Sequence, residues 1–361
     1  MRLPGDDEAA LRDACREVLS KHSTSARIRL IAESETGHDA DLWQLAAQLG
    51  WPALAVPESF GGLGGSVTDL CIVAEELGRV VQPSLLVQTL AVGKLVGRLA
   101  ADDPAGAALL EGIAAGPVVA TWAVGEPDGT DGVELVGGTL RGRRDFVPDA
   151  QCATHIAVRA QTADGAVLVV LPMSTGARAT PMQTLDITRR YCRVEFDDIA
   201  LDADCLQLDG GAVADLFELG VVLQCAESTG VAGRLLDLTV AYAKQRTQFG
   251  RPIGSFQAIK HRIADLLIEA EGARVATRDA AEAIDAGSGV TEAVSVAKSW
   301  VGRAASFVAS HALQIHGGIG FSWEHDLHLF LRRAKVNELL LGPPSWHDER
   351  LYGLIGGARD Y

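Results

Sequence analysis

Aromatic residues make up only 5% of this chain, so Ala, Val and Leu must fill the interior implied by its 48% hydrophobic fraction. That composition suits a soluble, helix-rich protein. Basic residues are outnumbered by acidic ones, 32 to 47, and the formal charge is -15. The chain therefore lacks the basic face that general nucleic-acid binding requires, although a few well-placed arginines can still hold an anionic cofactor. No stretch approaches the ~18 uncharged apolar residues of a membrane span. The N-terminal MRLPGDDEAALRDACREVL is charged and lacks the apolar core of a secretory signal. There is no C-x-x-C pair among Cys15, Cys71, Cys152, Cys192, Cys205 and Cys225, so reduced thiols in a cytoplasmic protein are expected. Internal repeats and low-complexity segments are also missing.

At 361 residues the chain is long for one core, and two or three packed layers or domains are expected. Three periodicities follow one another. Residues 1–115 read as helices: Leu11, Cys15, Val18 and Leu19 line one face, Leu70, Val73, Ala74 and Leu77 another, and the loop VPESFGGLGGS lies between. Residues 116–206 switch to short strand-like runs, VVATWAV, ATHIAVRA, AVLVVLP and YCRVEF, with Asp-Gly turns at 128–129, 131–132 and 164–165. This predicts an antiparallel barrel or sandwich. Residues 207–361 are helical again, without proline between Pro252 and Pro343 and with breaks at Gly287–Gly289 and Gly317–Gly320. Helices, strands and a long-helix bundle in that order define an α+β class without βαβ alternation.

Several motifs lead nowhere. GGLGGS at 61–66 follows a helix end, whereas a dinucleotide phosphate loop needs a preceding strand. WEHDLH puts His325 and His328 a helical turn apart, but it is not H-E-x-x-H and no third ligand is evident, so no metal is expected. No serine sits in G-x-S-x-G.

The informative segment is YAKQRTQFGRPIGSFQAIKHRIADL at 242–266, followed by LQIHGGIGF at 313–321. R-x-Q-F-G-x-P-I-x-x-F-Q ahead of Q-I-x-G-G-x-G resembles the acyl-CoA dehydrogenase family, with further echoes in VPESFGGLGGS, AEELGR and GEPDG. The resemblance spans nearly the whole chain. It implies an N-terminal helical domain, a central antiparallel β-barrel and a C-terminal four-helix bundle. It also implies FAD. Arg246 would grip the pyrophosphate of a neighbouring subunit's cofactor, since a guanidinium fork holds it bidentately. Phe249 would face the adenine, Gln257 would add an amide, and Gln314 with the Gly317–Gly318 backbone would meet the other side of the adenosine diphosphate. The plain alternative is a solvated arginine and a glycine helix cap.

The catalytic position departs from the family's pattern. The carboxylate that removes the substrate α-proton usually lies about twenty residues beyond G-G-x-G, a position held here by Leu341 with the expected Gly342 after it. A minority of members place it where this chain has Gly220. A general base contributes ~10²–10⁴-fold in rate, so its loss matters. Glu338 and Glu227 are the candidate substitutes; Glu218 faces away from Gly220 on its helix. On the flavin side, Gly125-Glu126-Pro127 replaces T-E-P, and Phe146-Val147-Pro148 replaces the usual Trp-x-Thr/Ser. No catalytic residue is therefore assigned. The pattern is similar to base-less subunits of steroid side-chain acyl-CoA dehydrogenases. It implies a homologous catalytic partner in an α2β2 tetramer, a bulky acyl-CoA substrate and an electron-transfer flavoprotein or similar acceptor. A homotetramer with a relocated base and a flavin-free scaffold are the alternatives.

Overall fold

A computed structural model of the chain describes residues 5–125 and 132–356. The chain folds as two compact units, one of residues 1–28, 71–82 and 221–361, the other of residues 29–70 and 83–220. Among the described residues, in order, α1 (Asp6–His22), α2 (Ser25–Glu33), α3 (Ala40–Gln48), α4 (Val67–Arg79), α5 (Leu86–Leu99) and α6 (Pro104–Ala115) precede eight strands. These are β1 (Ala120–Ala123), β2 (Val133–Val136), β3 (Thr139–Pro148), β4 (His155–Thr162), β5 (Gly165–Pro172), β6 (Arg178–Met182), β7 (Tyr191–Ala200) and β8 (Leu206–Leu208). After them come α7 (Gly210–Gln245), the short strands β9 (Thr247–Gln248) and β10 (Arg251–Pro252), and then α8 (Gln257–Ala286), α9 (Val290–His316), α10 (Leu327–Leu339) and α11 (Pro344–Gly356). The expected succession of helices, sheet and helices is what the chain adopts.

The unit of residues 29–70 and 83–220 carries the sheet. Its strand order is β6-β7-β3-β2-β4-β5-β8, with β1 also paired to β4. Most pairings are antiparallel, and the Asp164-Gly165 turn joins β4 to β5 as predicted, whereas Asp128-Gly129 and Asp131 lie outside the described residues. The β1–β4 pair and the single β2–β4 contact are parallel. Val133, Leu135, Leu140, Ile156, Val158, Val169, Leu171, Val194 and Phe196 fill one core. Local chemistry starts and stops its helices. Asp103 caps α6 by accepting from the Ala105 amide at 2.8 Å, Pro104 takes the first turn, and Gly116 ends the helix at φ +95°. Thr89 on α5 anchors β1, donating to the Ala120 carbonyl and accepting from its amide.

The other unit is built on long helices. Val294, Ala297, Val301, Ala304, Ala305, Val308, Ala309 and Ala312 form a fully buried stripe along α9. The three- and four-residue spacing sets that face, and its small side chains let neighbouring helices approach closely. Each buried valine contributes ~1.5–3 kcal/mol. Glycine decides one crossing. A Cβ on Gly230 of α7 would stand 1.9 Å from the Glu75 carbonyl oxygen, and one on Gly78 of α4 would stand 2.0 Å from that of Glu227. Only hydrogen fits at either place.

Candidate cofactor site

Helix α7 ends at the exposed Gln245, and the chain turns at once into the β9–β10 hairpin. Arg251 pairs with Gln248 and Pro252 with Thr247, leaving Phe249 and Gly250 as a two-residue turn. Both have positive φ, +53° and +76°, as a type I′ turn requires. Glycine adopts this freely, whereas phenylalanine is strained there. The turn thrusts the Phe249 ring outward, 91% exposed, with only an edge contact to Phe256 at 6.2 Å. Below it, the Ile253 amide donates to the Arg246 carbonyl at 2.8 Å and closes the loop. The exposed Arg246 side chain forms no ion pair or hydrogen bond with any described residue. Gln257 opens α8 and is likewise exposed.

The second motif ends α9. Gln314 is exposed on its last turn, and Gly317 caps the helix at φ +64°, ψ -143°, a conformation reserved for glycine. Gly318 is different. Its φ is not positive, and a Cβ there would meet nothing within 4 Å. The fold alone therefore does not require glycine at 318.

Tyr242 joins the two motifs. Its hydroxyl donates to the His316 carbonyl at 3.2 Å, and the two rings stack at 4.3 Å. The Arg246 amide donates to the Tyr242 carbonyl one helical turn away, and Gly317 directly follows His316. The sequence reading passed over both joining residues, although each stands inside a quoted motif. Burial depresses the pKa of His316, which keeps the ring neutral against its stacked partner.

Residues 5–116 match the family model for the acyl-CoA dehydrogenase N-terminal domain, and residues 211–349 match the model for the C-terminal domain. The chain is 36% identical over 347 residues to the acyl-CoA dehydrogenase IpdE2 of Mycolicibacterium smegmatis, covering 96% of this chain and 98% of that one. This chain belongs to the acyl-CoA dehydrogenase family. Among solved structures, the Tcur3481-Tcur3483 steroid ACAD, in a variant form, matches at TM-score 0.91 and 29% identity over 98% of each chain. The ChsE4-ChsE5 complex from Mycobacterium tuberculosis matches at TM-score 0.91 and 25% identity over all of both chains.

Leu341 stands where the resemblance puts the family's usual base. Leu341 is 6% exposed and has φ +59°, and its carbonyl accepts a hydrogen bond from His347 Nε2 at 3.0 Å. Burial drives the His347 pKa down to about 4, so the ring is neutral, and the bond to Leu341 requires its proton on Nε2. Lys298, itself fully buried, donates to the Leu340 carbonyl at 2.6 Å, to the Asn337 carbonyl and to the Gln224 side chain. The carbonyl-rich end of α10 offsets its charge. Lys298 lies on the buried stripe of α9, so helical periodicity could have flagged it.

Neither substitute base stands ready. Glu227 is 1% exposed and accepts from Arg333 at 2.6 Å and from the Asn337 amide at 2.9 Å. Glu338 accepts from Lys335 at 2.9 Å and from Ser306. Gly220 is buried within α7.

The positions that the resemblance puts beside the flavin belong to the sheet-bearing unit. Gly125 has φ +71°, and a Cβ there would stand 2.7 Å from Nη1 of the buried Arg144. Glu126 and Pro127 lie outside the described residues. Phe146 has φ +57° and is 53% exposed, at an irregularity where β3 slips against β7. Pro148 has no amide to donate, and its carbonyl accepts from the Thr121 hydroxyl at 2.6 Å.

The two histidines of WEHDLH pack against other rings: His328 stacks on Trp323 at 4.5 Å and His325 meets the edge of His316 at 5.3 Å. Among the described residues no group of three or more His, Cys, Asp or Glu could hold a metal. No helix among them is long and apolar enough to cross a membrane.

Proposed function

We propose that this chain is the base-less subunit of a hetero-oligomeric, FAD-dependent acyl-CoA dehydrogenase. In it, Arg246, Phe249, Gln257, Gln314, Gly317 and Gly318 hold the adenosine diphosphate end of an FAD whose reactive ring lies in a homologous catalytic partner. One observation carries this reading. The cofactor motifs are tied together through Tyr242 and His316, yet they leave an unpartnered guanidinium, an outward-facing aromatic ring and a glycine the fold does not need. Those are the groups that a pyrophosphate, an adenine and a closely approaching ligand would use. FAD, when bound, supplies the hydride acceptor for the α,β-dehydrogenation of a CoA thioester.

The catalytic half points the same way. A buried leucine occupies the usual base position, and Glu227 and Glu338 are both committed to other side chains. No observation favours the relocated base. The likeness to a steroid ACAD and to a two-component complex supports an α2β2 assembly acting on a bulky, steroid-type acyl-CoA. An electron-transfer flavoprotein or similar acceptor would take the electrons. The segments 1–115, 116–206 and 207–361 would be its helical, sheet and bundle domains.

The test is the complex co-purified with its catalytic partner. Charge-assisted hydrogen bonds contribute ~1.5–3 kcal/mol each, so Arg246→Ala should weaken FAD binding by roughly one to several decades. It should bleach the complex and stop turnover. Arg246→Lys should recover only part, because an ammonium keeps the charge without the fork. An assembled Arg246→Ala complex with full flavin and normal turnover would leave the chain as a scaffold.

A further inference from the structure

The β9–β10 hairpin and the start of α8 carry more charge than a cofactor grip needs. Five basic residues, Lys244, Arg246, Arg251, Lys260 and Arg262, stand between Asp237 and Asp265 with no Asp or Glu among them. The chain as a whole holds 47 acidic residues against 32 basic ones. Every residue from Lys244 to Pro252 is exposed, and so are Lys260 and Arg262. Arg262 lies 3.6 Å from Asp265, and the Arg251 guanidinium lies over the Phe256 ring at 4.1 Å. Lys244, Arg246, Arg251 and Lys260 form no ion pair with any described residue.

The packing of α8 changes along its length. Ala273, Thr277, Ala280, Ala281 and Ile284 bury one face of its second half. None of the residues from Gln257 to Asp265 is buried, and just beyond them Leu267 and Ile268 are 48% and 65% exposed. Helices of globular proteins owe most of their stability to a packed face, so a helix start without one is an incomplete surface. Exposed apolar side chains beside a row of unpaired cations mark it as a contact surface.

Charge, size and position together select the occupant. The pyrophosphate of one FAD leaves most of these cations without a counter-charge. Leu267 and Ile268 lie about 15 Å along the helix from Gln257, so the nucleotide end that Gln257 would hold does not cover them. A nucleic acid would answer the cations but not the two apolar side chains, and the acidic remainder of the chain would repel it. An acidic protein surface answers both. On the hetero-oligomer reading proposed above, Arg246, Phe249 and Gln257 of this same segment hold an FAD whose ring lies in the catalytic partner, so that partner comes within a dinucleotide's length of it. We propose that the β9–β10 hairpin and the start of α8 are the docking surface for the catalytic partner. The partner meets Lys244, Lys260 and Arg262 with a cluster of carboxylates beside an apolar contact at Leu267 and Ile268.

The complex of the full-length chain with its catalytic partner tests this through assembly rather than turnover. Association is followed by light scattering as ionic strength rises, for the wild type and for Lys260→Glu combined with Arg262→Glu. Glutamate near a helix N-terminus favours the helix, so the double change leaves α8 folded. At low salt it should slow association about ten-fold or more, and the difference should shrink towards 1 M salt, where the screening length falls to about 3 Å. Ile268→Ser should weaken the complex about ten-fold at every salt concentration. Zero-length carbodiimide coupling should join Lys244 or Lys260 to Asp or Glu residues of the partner. Assembly indifferent to salt, to the charge reversal and to Ile268→Ser, in a complex that Arg246→Ala still bleaches, overturns the docking surface and leaves the proposed function standing. No complex with a homologous catalytic chain, or a homo-oligomer of this chain that the same reversal disperses, overturns both.

Discussion

Replacing Glu227 with glutamine separates a structural carboxylate from a catalytic one. In the folded chain Glu227 and Arg333 are 1% and 0% exposed, and 2.6 Å separates their charged atoms. Asn337 donates to the second carboxylate oxygen at 2.9 Å. Glutamine preserves the shape and can still accept one hydrogen bond, but it removes the negative charge that faces the fully buried Arg333 cation. Breaking one side of such a pair costs ~3–5 kcal/mol, a large share of a typical ~5–15 kcal/mol stability. The urea midpoint of Glu227→Gln should therefore fall steeply, whether or not substrate is present. Replacing both partners with apolar residues, Glu227→Leu with Arg333→Met, should restore most of the loss, because neither charge then remains unpaired. The assay is denaturant unfolding of the full chain in parallel with turnover of the assembled complex. An unchanged midpoint with turnover abolished would refute the structural role and make Glu227 the relocated base.

Burial lowers the His347 pKa from 6.5 to about 4, so the unfolded chain binds more protons between those values. The ring should therefore contribute stability fully above pH 6.5 and lose ~3 kcal/mol of it as pH falls to 4. A wild-type minus His347→Gln stability difference that stays flat across that window would contradict this. Gly230→Ala gains ~1 kcal/mol of helix propensity but drives a Cβ to 1.9 Å from the Glu75 carbonyl, so a net loss of ~1–3 kcal/mol is expected in the urea midpoint. Leu341→Glu alone should give no detectable turnover with an artificial electron acceptor. The new carboxylate would enter a buried position, and Gly125 and Pro148 still offer the flavin ring no side-chain hydroxyl or proline amide. A competent homomeric dehydrogenase from this single change would show that the flavin pocket of this chain is sound.

The alternation of helical and strand periodicities was enough to read the order of elements, because period 3.6 and period 2 are local properties of the chain. What joins distant elements was not legible. Arg333 lies 106 residues from Glu227 and Tyr242 lies 74 from His316, and neither separation follows from spacing. The parallel β1–β4 pairing escaped because the Asp-Gly turns advertise hairpins only. The β9–β10 hairpin was hidden for a different reason. Its turn puts phenylalanine where Asn or Gly is the usual signal, so R-T-Q-F-G was legible as a motif but not as a shape.

That misplaced phenylalanine bears on function. A residue that the fold itself requires has a sufficient explanation: Glu227 neutralises Arg333, Lys298 and His347 hold the loop at Leu341, and Gly317 turns the chain out of α9. Arg246, Phe249, Gln257 and Gly318 have no such explanation. Phe249 is held in a strained backbone conformation that exposes an apolar ring, a net cost to the isolated chain. Strain of this kind clusters at ligand-holding sites, and here it comes with an almost fully exposed ring. These residues stand within the two motifs that Tyr242 and His316 tie together, whereas Leu341 is packed and hydrogen-bonded as structure. The groups left unexplained suit holding a ligand rather than moving a proton, and that is the ground on which a partner supplying the base is proposed.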